Sequence, residues 1–221
     1  MRLTLREIRS RVGDEACVRT ALRKQATVLV RTGQADAVLV CERADVPQDF
    51  LWIQHHGVAA SPRIHGEDRA LALESGVVSH GDPVPVYVVD GVYRVPLPPC
   101  QVWSVETRDE TVGRALLRAC RPTISDRRIG GLSVYRTIAD PSRMIGFLAL
   151  VPDITPRDVL VSLGADDDAE WACHRLQVCW SVGRLPPGGS SLSSRVPYPR
   201  ATFWARMSLG PPWEAATGMG S

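Results

Sequence analysis

The stretch "DAVLVCERADVPQDFLWIQHHG", Asp36 to Gly57, sets two apolar runs about a short polar turn. Successive side chains of a strand point to opposite faces. Phe50-Leu51-Trp52-Ile53 is apolar in both alternation sets, so it reads as a strand covered on both sides. Asp45-Val46-Pro47 suits a turn between antiparallel strands. The same design returns in "GLSVYRTIADPSRMIGFLALV", Gly131 to Val151, with its turn at Asp140-Pro141.

Working outward, a shift of 95 positions lays Val18–Arg23 on Gly113–Arg118 and Ala44-Asp45 on Ala139-Asp140. Each hairpin follows a strand and a helix: "RLTLREI" and "EACVRTALRKQATVL" in the first half, "CQVWSVE" and "TVGRALLRACR" in the second. Each then meets a helix with the same punctuation, "SPRIHGEDRALALESG" and "TPRDVLVSLG": a hydroxyl cap, proline at the first helical position and a glycine stop. The closing strands are "PVYVVDGVYRVP", where Asp90-Gly91 is a hairpin signal, and "RLQVCWSV". The order β-α-β-β-α-β is the ferredoxin-like split motif. One sheet face is covered by helices, and the other half's sheet is expected to cover the second. The expected fold is therefore α+β: two ferredoxin-like repeats packed sheet to sheet as an intramolecular barrel. They span residues 1–98 and 99–208, and residues 209–221 are expected to form a disordered tail. "LPPGGSSLSS" reads as a flexible loop and "ATFWARMSL" as a last strand.

With 221 residues, 44% of them hydrophobic, the chain can bury a substantial core. Its longest apolar window, Met144 to Val151, falls short of the roughly 20 residues that span a bilayer. The N-terminus alternates charges and has no signal-peptide run. A cytoplasmic protein without membrane contact is expected. Six cysteines without a CxxC pair suggest free thiols, not zinc or thioredoxin chemistry. A net charge of +2, spread along the chain, gives no nucleic-acid stripe. Of the 26 basic residues only Lys24 is lysine, and asparagine is absent, so arginine is the cation available to a site.

The helix "VRTALRKQA", the hairpin "AVLVCERADVPQDFLWIQHH" and the following "ASPRIHGEDRAL" resemble the antibiotic biosynthesis monooxygenase type of the dimeric α+β barrel superfamily, present as a tandem fusion over residues 1–182. The resemblance implies a cavity between sheet and helices for a planar aromatic polyketide. It also implies oxidation of a phenolic or anthrone-type intermediate by molecular oxygen without a cofactor, or a polyketide cyclase of the same fold. Where that family's strand often ends in Glu and, two residues later, Trp, this chain has Gln54 and His56.

Alternation puts Phe50, Trp52, Gln54 and His56 on one face. If that face lines the cavity, His56 is the expected general base. Trp52 would be a stacking wall, Gln54 a donor to the substrate carbonyl and Arg43 the stabiliser of an oxyanion. Phe50, His65 and Arg23 are the expected substrate-binding residues. The plain alternative is that His55, His56 and Gly57 are a solvated strand end and Trp52 is core. No metal is expected, because adjacent histidines on a strand face opposite ways. Asp166–Asp168 would cap a helix "DAEWACHRL". The second hairpin has no histidine, glutamine or tryptophan at its end, which places the chemistry in the first half. A non-catalytic binding or assembly partner, and association of the fused chain into a homo-oligomer, stay open.

Overall fold

The alternating patterns close into a barrel. The computed structural model describes residues 2–56, 77–93, 100–121 and 126–183. In chain order these form β1 (Arg2–Ser10), α1 (Glu15–Arg31), β2 (Ala37–Arg43), β3 (Val46–His56), β4 (Val77–His80) and β5 (Val84–Tyr93). There follow β6 (Gln101–Thr107), α2 (Glu110–Ala119), β7 (Ile129–Thr137), β8 (Met144–Leu150), α3 (Pro156–Ser162) and β9 (Ala172–Gly183). The strands pair in the order β3-β2-β9-β6-β8-β7-β5-β1, and β1 returns to β3. Every pairing is antiparallel. Closing the ring leaves none of these eight strands with a free edge. The short β4 pairs with the end of β1 that β5 leaves uncovered.

Within the ring, β5-β1-β3-β2 from the first half matches β9-β6-β8-β7 from the second, and the halves join at β2–β9 and β5–β7. The registers correspond at two positions. Glu7 faces Leu51 across its pair as Glu106 faces Ile145, and Leu5 faces Val84 as Ser104 faces His174. The 95-residue shift would have put Leu51 on Gly146, one position away from its structural counterpart. A one-residue slip turns every side chain of a strand to the other face, so the inward pattern sets the correspondence, not identities in the turns.

The inward set, including Leu3, Leu5, Leu39, Cys41, Leu51, Ile53, Tyr135 and Phe147, fills the barrel. Tyr135 meets Phe147 edge-on, with centroids 5.8 Å apart. The outward set is covered by helices. Val18, Leu22 and Ala26 of α1 pack on Val38, Val40, Phe50 and Trp52. Leu116 of α2 and Leu160 of α3 join Leu132, Val134, Leu148 and Leu150. Every residue of β8 is buried, as apolarity on both faces requires.

The helix punctuation is visible in the caps. The Asp109 side chain accepts from the backbone N–H of Thr111 and Val112. Thr155 and Asp158 form a reciprocal capping box with Pro156 just inside, and Gly164 ends the turn at φ +92°.

Two local expectations are corrected. Asp90-Gly91 is not a hairpin turn: both residues lie inside β5, where the register with β7 shifts between Val88 and Asp90, as at a bulge. "DAEWACHRL" is not a helix, because from Ala172 it belongs to β9, which pairs with both β2 and β6. Two ladders of backbone hydrogen bonds outweigh the weak local helix preference. The helix expected over Ser61–Gly76, the loop Leu185–Ser194, the last strand and the tail lie outside the described residues. No described helix is long and apolar enough to cross a membrane.

Candidate functional site

Strand β3 separates its two histidines. His56 lies on the outward face with Phe50, Trp52 and Gln54, as alternation requires, while His55 points into the barrel. His56 Nε2 is hydrogen-bonded to Thr4 Oγ1 at 2.8 Å, and burial lowers its pKa. Trp52 Nε1 donates to Gln54 Oε1 at 3.4 Å, and Gln54 Nε2 donates to the Gln34 carbonyl at 3.5 Å. Phe50 and Trp52 are buried against α1. The strand end is thus not solvated, since His55 and His56 are both buried.

Arg43 does not join this group. It follows Leu39 and Cys41 in the inward set of β2 and lines a cavity inside the barrel mouth. Arg23 is exposed on α1, whose buried face is Val18, Leu22 and Ala26. His65 lies outside the described residues.

The cavity, of about 560 Å³, opens where the inward sets turn polar. Leu5, Leu51, Val84, Ile145 and Phe147 give it apolar walls. Arg6, Glu7, Arg43, Asp82, Glu106, Arg143 and His174 supply its charged and titratable groups. Arg43 Nη2 donates to Glu7 and its Nη1 lies 3.4 Å from Asp49. Asp49 also receives both Arg9 Nε at 2.6 Å and Arg9 Nη2 at 2.8 Å, and this hydrogen bonding holds its carboxyl below the usual carboxylate range. Across the cavity, Arg143 Nε donates to Glu106 at 2.7 Å.

A contact beside the cavity joins the halves at a titratable group. Asp45, in the turn after β2, places Oδ2 3.2 Å from Nδ1 of His174 on β9. A carboxylate there favours the tautomer with Nδ1 protonated and Nε2 free to accept a hydrogen bond. The Ser104 hydroxyl donates to the His174 carbonyl at 3.4 Å. The polar pair has no equivalent in the first half, where register puts Leu5 and Val84 in the places of Ser104 and His174. Among the described side chains, the histidine that lines this cavity is His174, in the second half.

Sequence reasoning missed His174 because it assigned that segment to a helix. The alternation Ala172, His174, Leu176, Val178 was the available signal, with the last two inward-facing in the barrel core. Glu7 and Glu106 were equally legible as members of the inward sets of "RLTLREI" and "CQVWSVE". Among the described residues, no group of three or more histidine, cysteine, aspartate or glutamate side chains could hold a metal ion.

No protein-family profile matches the chain, and no curated protein matches it significantly. Solved structures do resemble it. A candidate monooxygenase from Fusobacterium nucleatum superposes with a TM-score of 0.54 at 9% identity, over 83% of this chain and 94% of that one. An anthrone oxidase-like protein superposes with a TM-score of 0.53 at 13% identity, over 82% of this chain and 92% of that one. The likeness is one of fold. It runs through both halves, since each match covers far more than half of this chain.

Proposed function

We propose that this chain is a cofactor-independent oxygenase of phenolic or anthrone-type polycyclic compounds, of the kind tailored in aromatic polyketide biosynthesis, and that its halves are fused ferredoxin-like repeats. The observation that carries the reading is the Asp45–His174 pair on the wall of an apolar-sided cavity that is also lined by Arg6, Arg43 and Arg143. A volume of about 560 Å³ is in the range of small-molecule sites. The fold shared with an anthrone oxidase-like protein supports the same chemistry.

In this scheme Asp45 holds Nδ1–H of His174, and Nε2 removes the proton that leaves an anthrone as its delocalised anion. Arg43 favours negative charge on the carbonyl oxygen. The anion gives one electron to dioxygen, the radical pair joins in a C–O bond, and the hydroperoxide loses water. The ring CH₂ and O₂ become C=O and H₂O, so atoms and electrons balance. His56, with Gln54 and Trp52, is the alternative base on the helix-covered face.

Oxygen uptake with 1,8-dihydroxyanthrone tests the proposal. His174→Ala is expected to lose about 10²–10⁴-fold in turnover, with His56→Ala close to the parent. The reverse ranking would move the site to the helix-covered face. No uptake above the spontaneous rate by the parent protein would overturn the oxygenase reading. A cyclase would use the same base without consuming oxygen. The filled contact between α1 and Phe50 and Trp52 is what a non-catalytic assembly partner would show there; the open barrel mouth favours a ligand.

A further inference from the structure

Of the three arginines that line the cavity, Arg6, Arg43 and Arg143, the last two differ in what they have left to offer. Both ends of the Arg43 fork are engaged, by Glu7 and by Asp49. Arg143 is engaged only through Nε, by Glu106. Among the described residues its two terminal nitrogens have no partner, and the side chain retains 27% exposure at the cavity wall. Its backbone is fixed: the N–H donates to the Asp140 carbonyl at 3.0 Å, and its own carbonyl accepts from Thr137 N–H at 3.2 Å. A guanidinium clamped through Nε from a pinned backbone presents its end-on pair of N–H groups in one direction, and that pair matches the two oxygens of a carboxylate.

From this geometry we infer that the cavity takes an aromatic ligand bearing a carboxylate, with Arg143 as its anchor. The inference rests on the aromatic-cavity reading above and names the substrate class more narrowly. Glu106 is a positioning residue, because it acts by aiming Arg143. The ligand's rings lie against Leu51, Ile145 and Phe147, and the carboxylate end sets which ring carbon comes to His174. Glu7 and Glu106 disfavour any anion not aimed at the fork, so the site selects the position of the charge as well as its sign.

Calorimetric titration without oxygen separates this inference from the proposed reaction. The probes are anthraquinone-2-carboxylate and anthraquinone-2-carboxamide, which share rings and differ in charge. The carboxylate is expected to bind about 10–100-fold more tightly, the range of a charge-assisted pair. Arg143→Gln is expected to abolish that preference while leaving carboxamide affinity within about threefold. Arg143→Lys should keep part of the preference, and Glu106→Gln, which leaves the arginine present but unaimed, should reduce it. Circular dichroism of each variant checks folding. Equal affinity for the two probes, or a preference surviving in Arg143→Gln, overturns the carboxylate anchor alone. Binding of neither probe to the parent protein overturns both the anchor and the aromatic cavity.

Discussion

Replacing His55 by leucine should stabilise the protein, and more so in acid. The ring is 1% exposed, it points into the barrel beside Leu3 and Ala37, and among the described residues neither of its nitrogens has a partner. Burying a polar group without a hydrogen bond costs about 1–3 kcal/mol on mutational scales. Leucine is near in volume and carries no such cost. Burial, with a smaller contribution from His56, lowers the pKa of His55 from 6.5 to about 3. The unfolded chain therefore takes up a proton near pH 6.5 that the folded chain refuses until about pH 3. Above pH 6.5 both forms are neutral and stability does not depend on this group. As pH falls below 6.5 the parent protein loses about 1.4 kcal/mol per unit, until the folded form also protonates. Between pH 7.5 and pH 5 the loss is about 2 kcal/mol. Urea denaturation of the parent and His55→Leu at both pH values measures it, with a gap at pH 7.5 that widens by about 2 kcal/mol at pH 5. The comparison cancels the carboxylates and His56, which are common to both proteins. A gap that stays constant, or a variant less stable at both pH values, would refute the reasoning.

Other outcomes follow from single contacts. Asp45→Asn should lower oxygenation, because the amide no longer fixes the Nδ1–H tautomer of His174; unchanged turnover would remove the pair from the mechanism. Asp49→Asn should cost on the order of 1–3 kcal/mol, since Arg9 and Arg43 lose a charged acceptor. Because the Asp49 pKa is lowered, chiefly by its hydrogen bond to Arg9, that contribution is present above the ordinary carboxylate range and disappears as pH falls through the lowered value. Denaturation midpoints at pH 7 and pH 3 should therefore converge for parent and variant. Gly183→Ala should destabilise by about 1–3 kcal/mol. Its φ is +91° and a Cβ would sit 2.3 Å from the Asp36 carbonyl oxygen, a backbone atom that cannot swing aside; a thermal melt unchanged from the parent would count against the β2–β9 junction as described.

Much of the architecture was legible along the chain because it rests on local periodicity. Apolarity in both alternation sets marked β3 and β8 as covered on two faces, and Thr155-Pro156 and Gly164 marked the ends of α3. The candidate site was less legible. Trp52, Gln54 and His56 do share a face, but Trp52 is occupied by packing on α1, while the residue that reaches the cavity, His174, sat in a segment whose local signals favoured a helix.

By itself the sequence determined which residues of the hairpin strands alternate and where α3 begins and stops. Only the tertiary structure decided that the strands form one closed ring, because closure depends on pairings between residues far apart, such as Val38 with Val182 and Tyr87 with Arg136. Closure also brought Asp45 to His174 across 129 positions of chain and set Arg43 and Arg143 on one cavity. Local propensity acts over a few residues, whereas a site on a barrel wall is assembled from the register of every strand around it.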